Sequence, residues 1–195
     1  MRRVDGLLLL HPELHGVAGR PKQHVSDLLR GALVLSVAAL DALVLDSVVA
    51  AIPRAVRDGR LGPNVAKWVK EEPEAFLALL PATNSGAKLA ELCREKLGAI
   101  TFQRAAMIEG VMRDVVQKGP PWPRAADILS RGGPTWTADV VKETLDEIVE
   151  RRHRIAHSGD MLPKKTATRP IQLSYVQDAV IVIEAVGQAV TQTLR

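Results

Sequence analysis

Hydrophobic positions recur at helical spacing along most of this chain. From Pro21, which suits a first helical turn, an apolar pattern runs to Ile52. Leu29, Leu33, Val37, Leu40, Val44 and Val48 follow one another by three or four residues, so they share a helix face. Leu28, Leu35, Ala39 and Leu43 widen that face, which predicts a central helix with Pro53 at its end. Asp58-Gly59 and Gly62-Pro63 are turn pairs, and short helical pieces are predicted over 64–70 and 73–80. A second long helix is predicted after Ser85 as its N-cap, running to near Lys118. Its stripe is Leu89, Leu92, Leu97, Ile100, Ala106, Ile108, Val111 and Val115.

A short helix over 123–131 follows, broken by Gly132-Gly133-Pro134. Thr137 caps the next one, with Val140, Val141, Leu145, Ile148 and Val149 facing inward. That helix runs into Arg151-Arg152-His153-Arg154-Ile155-Ala156-His157, and Gly159 supplies a stop. Ser174 and Gln177 form a capping box for a last helix ending near Leu194. Alternating β-branched runs bounded by turns are missing, which argues against a sheet, and no internal repeat appears. The pattern predicts an all-α fold: one domain over 1–195, a helical bundle with two long central helices plus shorter ones. Residues 1–20 read as an N-terminal extension.

Composition narrows the function classes. A chain of 195 residues with 47% hydrophobic content can bury a core, which excludes wholesale disorder. Aromatics at 3% argue against modules that read bases by stacking on exposed rings. A lone Cys93 excludes a disulfide framework and a cysteine-based zinc site, and suits a reducing compartment. The Arg2-Arg3 start lacks the small-residue cleavage site of a secretory signal. Residues 31–52 are long enough to span a membrane. Asp41 and Asp46 would each cost about 3 kcal/mol at the bilayer centre, so a buried bundle helix, no membrane and a cytoplasmic location are expected.

The net charge is only +4, but its position matters. Residues 150–170 hold six basic and two acidic side chains, which is the whole excess; the rest of the chain balances. The densest group of chemically useful side chains is 150–160, with three arginines, two histidines, an adjacent acid and a glycine. Arg152 and His157 are five residues apart, which on a straight helix separates them by about 140°. They converge only if the helix ends or unwinds near Ala156, with Ile155 and Ala156 anchoring the last turn.

Such a group suits RNA cleavage without a metal. The 2′-hydroxyl must lose a proton, the 5′-oxygen must gain one, and the phosphorane between them carries extra negative charge. A histidine of ordinary pKa, about 6.5, serves as acid or base near neutrality. Arginine holds phosphate bidentately and stays charged. One histidine does not easily serve both ends of an in-line displacement, whereas two copies across a dimer axis would.

Simpler readings stand beside this one. Arg151, Arg152 and Arg154 near a helix C-terminus complement the macrodipole. Glu150, His153 and His157 could share a face and hold a metal, but a di-iron site needs a second Glu-x-x-His copy that the chain lacks. No cofactor is expected. Asp41 and Asp46 need partners or solvent in their apolar helix. His11, His15 and His24 read as surface or capping residues, Cys93 as core, and Trp122 and Trp136 as packing anchors. Lys164, Lys165 and Arg169 either extend an RNA-binding rim or are solvated.

Arg152-His153-Arg154-Ile155-Ala156-His157 resembles the R-x4-6-H signature of HEPN domains. Ile155-Ala156-His157-Ser158-Gly159-Asp160 is similar to the family ending in which a small or aliphatic pair precedes the histidine. His11-Pro12-Glu13-Leu14 and Ala39-Leu40-Asp41 look like the RiboL-PSP branch, so the resemblance spans about 11–194. It implies a metal-independent endoribonuclease leaving a 2′,3′-cyclic phosphate and a 5′-hydroxyl. It also implies a homodimer with a composite active site, a toxin or defence role, and an antitoxin protein as a possible partner. By position, Arg152 would bind the scissile phosphate and His157 would be the acid/base. His153 would support them, where the family more often has Asn. Asp41 would face the cleft and orient Arg152, against the plainer reading of a structural ion pair or surface carboxylate. Arg151, Arg154, Lys164 and Lys165 would contact RNA. The alternative is a non-catalytic module that binds a nucleotide, an RNA or an acidic partner.

Overall fold

The computed structural model describes residues 2–15, 23–60, 62–63, 85–116, 119–131, 133–162 and 167–195. Among them are seven helices and no strand: α1 (Arg2–His15), α2 (Gln23–Arg57), α3 (Ser85–Leu97), α4 (Ala105–Val115), α5 (Trp122–Leu129), α6 (Ala138–Ser158) and α7 (Leu173–Leu194). An isolated antiparallel bridge joins Met161 and Thr168. The all-α bundle expected from the periodicity is present. The short helices expected over 64–70 and 73–80 lie outside the described residues.

Helix α2 is the axis of the bundle. Its predicted stripe, Leu29 to Val48, is buried throughout. It passes Pro53 and continues to Arg57, because Ala51, Ile52 and Ala55 extend the buried face. Burial of that turn offsets a helix-interior proline penalty of about 3 kcal/mol. Gly59, at φ +64°, then stops the chain, with the Arg60 N–H on the Ala55 carbonyl at 2.8 Å. Leu35 and Leu43, expected to widen the buried face, are exposed instead.

Helix α7 packs along α2 in the same direction. Arg30 reaches the Arg169 carbonyl just before α7, and Arg54 donates to the Leu194 carbonyl at its far end. At Gly187 an added Cβ would come within 2.7 Å of Leu43 Cδ2, so the missing side chain lets the helices approach. Both helices are long and apolar enough to cross a membrane by length and composition, and in this fold each buries one face in the bundle. The capping box expected at Ser174 and Gln177 does not form. The helix opens two residues earlier, behind Gln172, which makes no side-chain cap.

The second long helix of the prediction is two helices. Gly98 ends α3 with its N–H on the Arg94 carbonyl at 2.8 Å, and α4 starts afresh at Ala105. Carboxylates from distant helices hold the connector. Asp41 accepts from the Phe102 N–H at 2.6 Å and from Gln103 Nε2 at 2.7 Å. Asp146 accepts from the Ala105 N–H at 2.9 Å, supplying the cap that Arg104 does not. After the break Ile108, Val111 and Val115 are buried as expected, and Ala105 is buried in place of Ala106.

Three further expectations change. The stretch read as an N-terminal extension is largely helix α1, which packs on α2 with Val4 buried. His11 is buried in that helix rather than at the surface. Val140 is exposed, although Val141, Leu145, Ile148 and Val149 are buried as expected. Trp122 is a buried anchor whose Nε1–H donates to Glu109 Oε2 at 3.0 Å, and Trp136 packs half-buried on the core. Cys93 is a core residue, and burial pushes its thiol up to about 11.

Candidate functional site

Helix α6 carries the histidines to the end of the bundle. Thr137 Oγ1 accepts from the Val140 N–H at 3.3 Å, as the sequence predicts for the cap. The chain remains helical through Ser158 and stops at Gly159 (φ +60°). The Arg154 carbonyl takes the Asp160 N–H at 3.1 Å and the Ser158 hydroxyl at 2.7 Å. The unwinding near Ala156 that would bring Arg152 and His157 together does not occur. The two remain on one continuous helix, about 140° apart. Ile155 packs against the core as expected, whereas Ala156 is exposed.

Arg152 lies three, four and seven residues beyond Val149, Ile148 and Leu145, on the face those buried residues define. It is half-buried. Its Nε is enclosed without a hydrogen-bond partner among the described residues.

Arg151 belongs to a buried ionic lock. Its Nη2 donates to Asp160 Oδ2 at 2.6 Å and to the Pro170 carbonyl at 3.0 Å. Arg30 Nε donates to the same Asp160 oxygen at 3.3 Å, Nη1 to Asp27 at 3.0 Å, and Nη2 to the Arg169 carbonyl at 2.6 Å. Asp160 is fully buried and left-handed at φ +59°, a conformation Asp tolerates better than most residues. Arg151 therefore joins α6, α2 and the segment before α7, and it also lines the cleft described below. Sequence reasoning missed Arg30 and Asp160. Arg30 is the only charged residue between Asp27 and Asp41 in an apolar run, and that was the available signal.

The opposite side of α6 is open. Glu150, His153, Arg154 and His157 lie at i, i+3, i+4 and i+7, one helix face. All four are exposed. The His153 and His157 rings touch, with centroids 4.4 Å apart and planes tilted by 49°. Arg104 Nη2 donates to Glu150 Oε2 at 2.9 Å. This bond holds the Glu150 carboxyl below its ordinary pKa, and the nearby Arg154 and His153 act in the same direction. Arg154 makes no side-chain hydrogen bond or ion pair among the described residues. Beside this face is a cleft of about 700 Å3, lined in part by Arg104, Glu147, Glu150, Arg154 and Tyr175. Burial raises the Tyr175 hydroxyl pKa, against the opposing pull of Arg151 and Arg154.

Asp41 does not face Arg152, since its two oxygens hold Phe102 and Gln103. Asp46 makes an exposed ion pair with Arg94 at 2.5 Å. Lys164 and Lys165 lie outside the described residues. Among the described residues no group of three or more His, Cys, Asp and Glu side chains is placed to hold a metal ion, and Glu150 turns to Arg104. A second groove of about 610 Å3 lies between α2 and α7, along Leu43, Ile183 and Gly187, away from the histidines. Comparison with family models, with curated proteins and with solved structures finds no match to this chain.

Proposed function

We propose that this chain is a HEPN-type, metal-independent endoribonuclease that cleaves RNA by attack of the 2′-hydroxyl on the adjacent phosphorus. The observation that carries the reading is the His153–His157 pair, exposed and in ring contact at a helix end that also bears exposed arginine. His157 is the acid/base group. His153 packs on its ring and restricts its rotation.

Two rings in contact on one helix face approach a phosphate from one side only. In-line displacement removes a proton on one side of the phosphorus and delivers one on the other. A second copy of the chain supplies the other side, so the reading carries a homodimer with it. The resemblance assigns the phosphate to Arg152. The helix turns Arg152 to the core side, so within one protomer that role falls to another cation. A toxin or defence role follows from the resemblance, with growth arrest on expression, relieved by His157→Ala, as its expected sign.

Purified protein incubated with single-stranded RNA in EDTA tests the reading. Cleavage to a 2′,3′-cyclic phosphate and a 5′-hydroxyl, lost in His157→Ala, is the expected outcome. RNA that stays intact but binds with steep salt dependence would replace the enzyme by a binding module. Cleavage that stops in EDTA would point to a metal.

A further inference from the structure

We propose that Arg154, rather than Arg152, is the arginine that binds a phosphate beside His157. The assignment names the anion-binding residue of the site proposed above and rests on that reading. Three observations lead to it. First, the helix remains continuous to Ser158, so side chains are sorted by their angle around its axis. Arg154 precedes His157 by three residues and follows Glu150 by four, which makes it a neighbour of both. Arg152 is about 140° from His157 and shares the face of Leu145 and Ile148.

Second, the three motif arginines differ in what already holds them. Arg151 is bound to Asp160 and the Pro170 carbonyl. Arg152 is half-buried, with Nε closed off from solvent. Arg154 is exposed and has no ion pair among the described residues, so its fork of donors is free for a planar oxyanion.

Third, the acid one turn before Arg154 is already taken. Glu150 sits one turn before Arg154 and would compete with a phosphate for it. Arg104 engages the Glu150 carboxylate at 2.9 Å and brings a second cation to the same edge. Arg154 lines the 700 Å3 cleft with Arg104, Arg151, a partly exposed Tyr175 and the carboxylates of Glu143, Asp146, Glu147 and Glu150, so a phosphate is held at the Arg154 rim and the cleft beside it has space for a nucleoside. The ligand class is a phosphate ester of a ribonucleoside. Arg104 occupies the Glu150 carboxylate and so leaves Arg154 unpaired.

The test is a titration of the intact protein with uridine 3′-monophosphate, following the ring-proton resonances of His153 and His157. The nucleotide is expected to shift both signals saturably. Arg154→Ala should weaken it about tenfold or more, the loss of one charge-assisted contact. Arg154→Lys should fall between, because it keeps the charge and loses the fork. Arg152→Met, which keeps an apolar stem in the half-buried seat, should leave the affinity unchanged. Wild-type signals that do not move, or an Arg154→Ala affinity equal to wild type, would overturn the assignment, as would loss of binding in folded Arg152→Met. If the nucleotide binds as stated while RNA stays intact in EDTA, the cleavage reading fails and the arginine assignment stands. If RNA is cleaved while Arg154→Ala binds normally, the reverse holds.

Discussion

Two sides of the last three turns of α6 carry the same residue types and do different things. On one side Arg151 and Arg152 lie against the bundle. Arg151 shares the fully buried Asp160 with Arg30, and Arg152 continues the face of Leu145 and Ile148. On the other side His153, Arg154 and His157 are exposed and unpaired with any acid among the described residues. Composition and spacing treat these charges as one basic cluster. The helix divides them: about half of the local positive charge holds the fold, and the rest faces solvent and is available for chemistry.

That contrast can be broken first at its buried side. Asp160→Ala leaves Arg151 without its counter-charge and Arg30 with Asp27 alone, and should cost about 3–5 kcal/mol, read as a lowered urea midpoint. Asp160→Asn keeps a residue that accepts the left-handed backbone and should cost less. A loss near zero for Asp160→Ala would mean the lock is not structural. Next comes Asp41→Ala, which orphans the Phe102 N–H and the Gln103 amide and should cost about 1–3 kcal/mol by the same measurement.

A smaller effect belongs to Arg104 and Glu150. The Glu150 pKa is depressed in the folded state, so its contribution is present above the ordinary carboxylate pKa and fades as pH falls through the folded value. Arg104→Ala should therefore differ from wild type in urea midpoint at neutral pH and match it in acid. The smallest effect is expected at the exposed face. His153→Ala and His157→Ala should each keep stability within about 0.5 kcal/mol of wild type. A large loss in either would move the histidines to the structural side of the comparison.

The parts of the fold legible in the sequence are those set by neighbours within one helix. The buried stripe of α2, the Thr137 cap and the Gly159 stop all follow from spacing and residue type. The parts that were not legible depend on partners far away in the chain. The break between α3 and α4 is held by Asp41 and Asp146, 61 and 41 residues from the groups they bind. Apolar spacing gave no reason to stop the helix there, because Leu97, Ile100 and Ile108 fit one continuous stripe. Leu35, Leu43 and Val140 look like core residues by period and are exposed, Leu43 at the open groove beside Gly187 of α7. At the site, the motif located the helix end and its histidines. It could not say which arginine shares their face, since that depends on whether the helix unwinds before His157.

The division of labour on α6 is tested most directly by measuring, on one RNA in EDTA, the cleavage rate per folded molecule for His157→Ala and Asp160→Asn. The account predicts that His157→Ala loses about 10²–10⁴ in rate with an unchanged urea midpoint. Asp160→Asn should keep the rate of each folded molecule while its midpoint falls. A His157→Ala enzyme that cleaves like wild type, or two variants that lose rate and stability together, would contradict it.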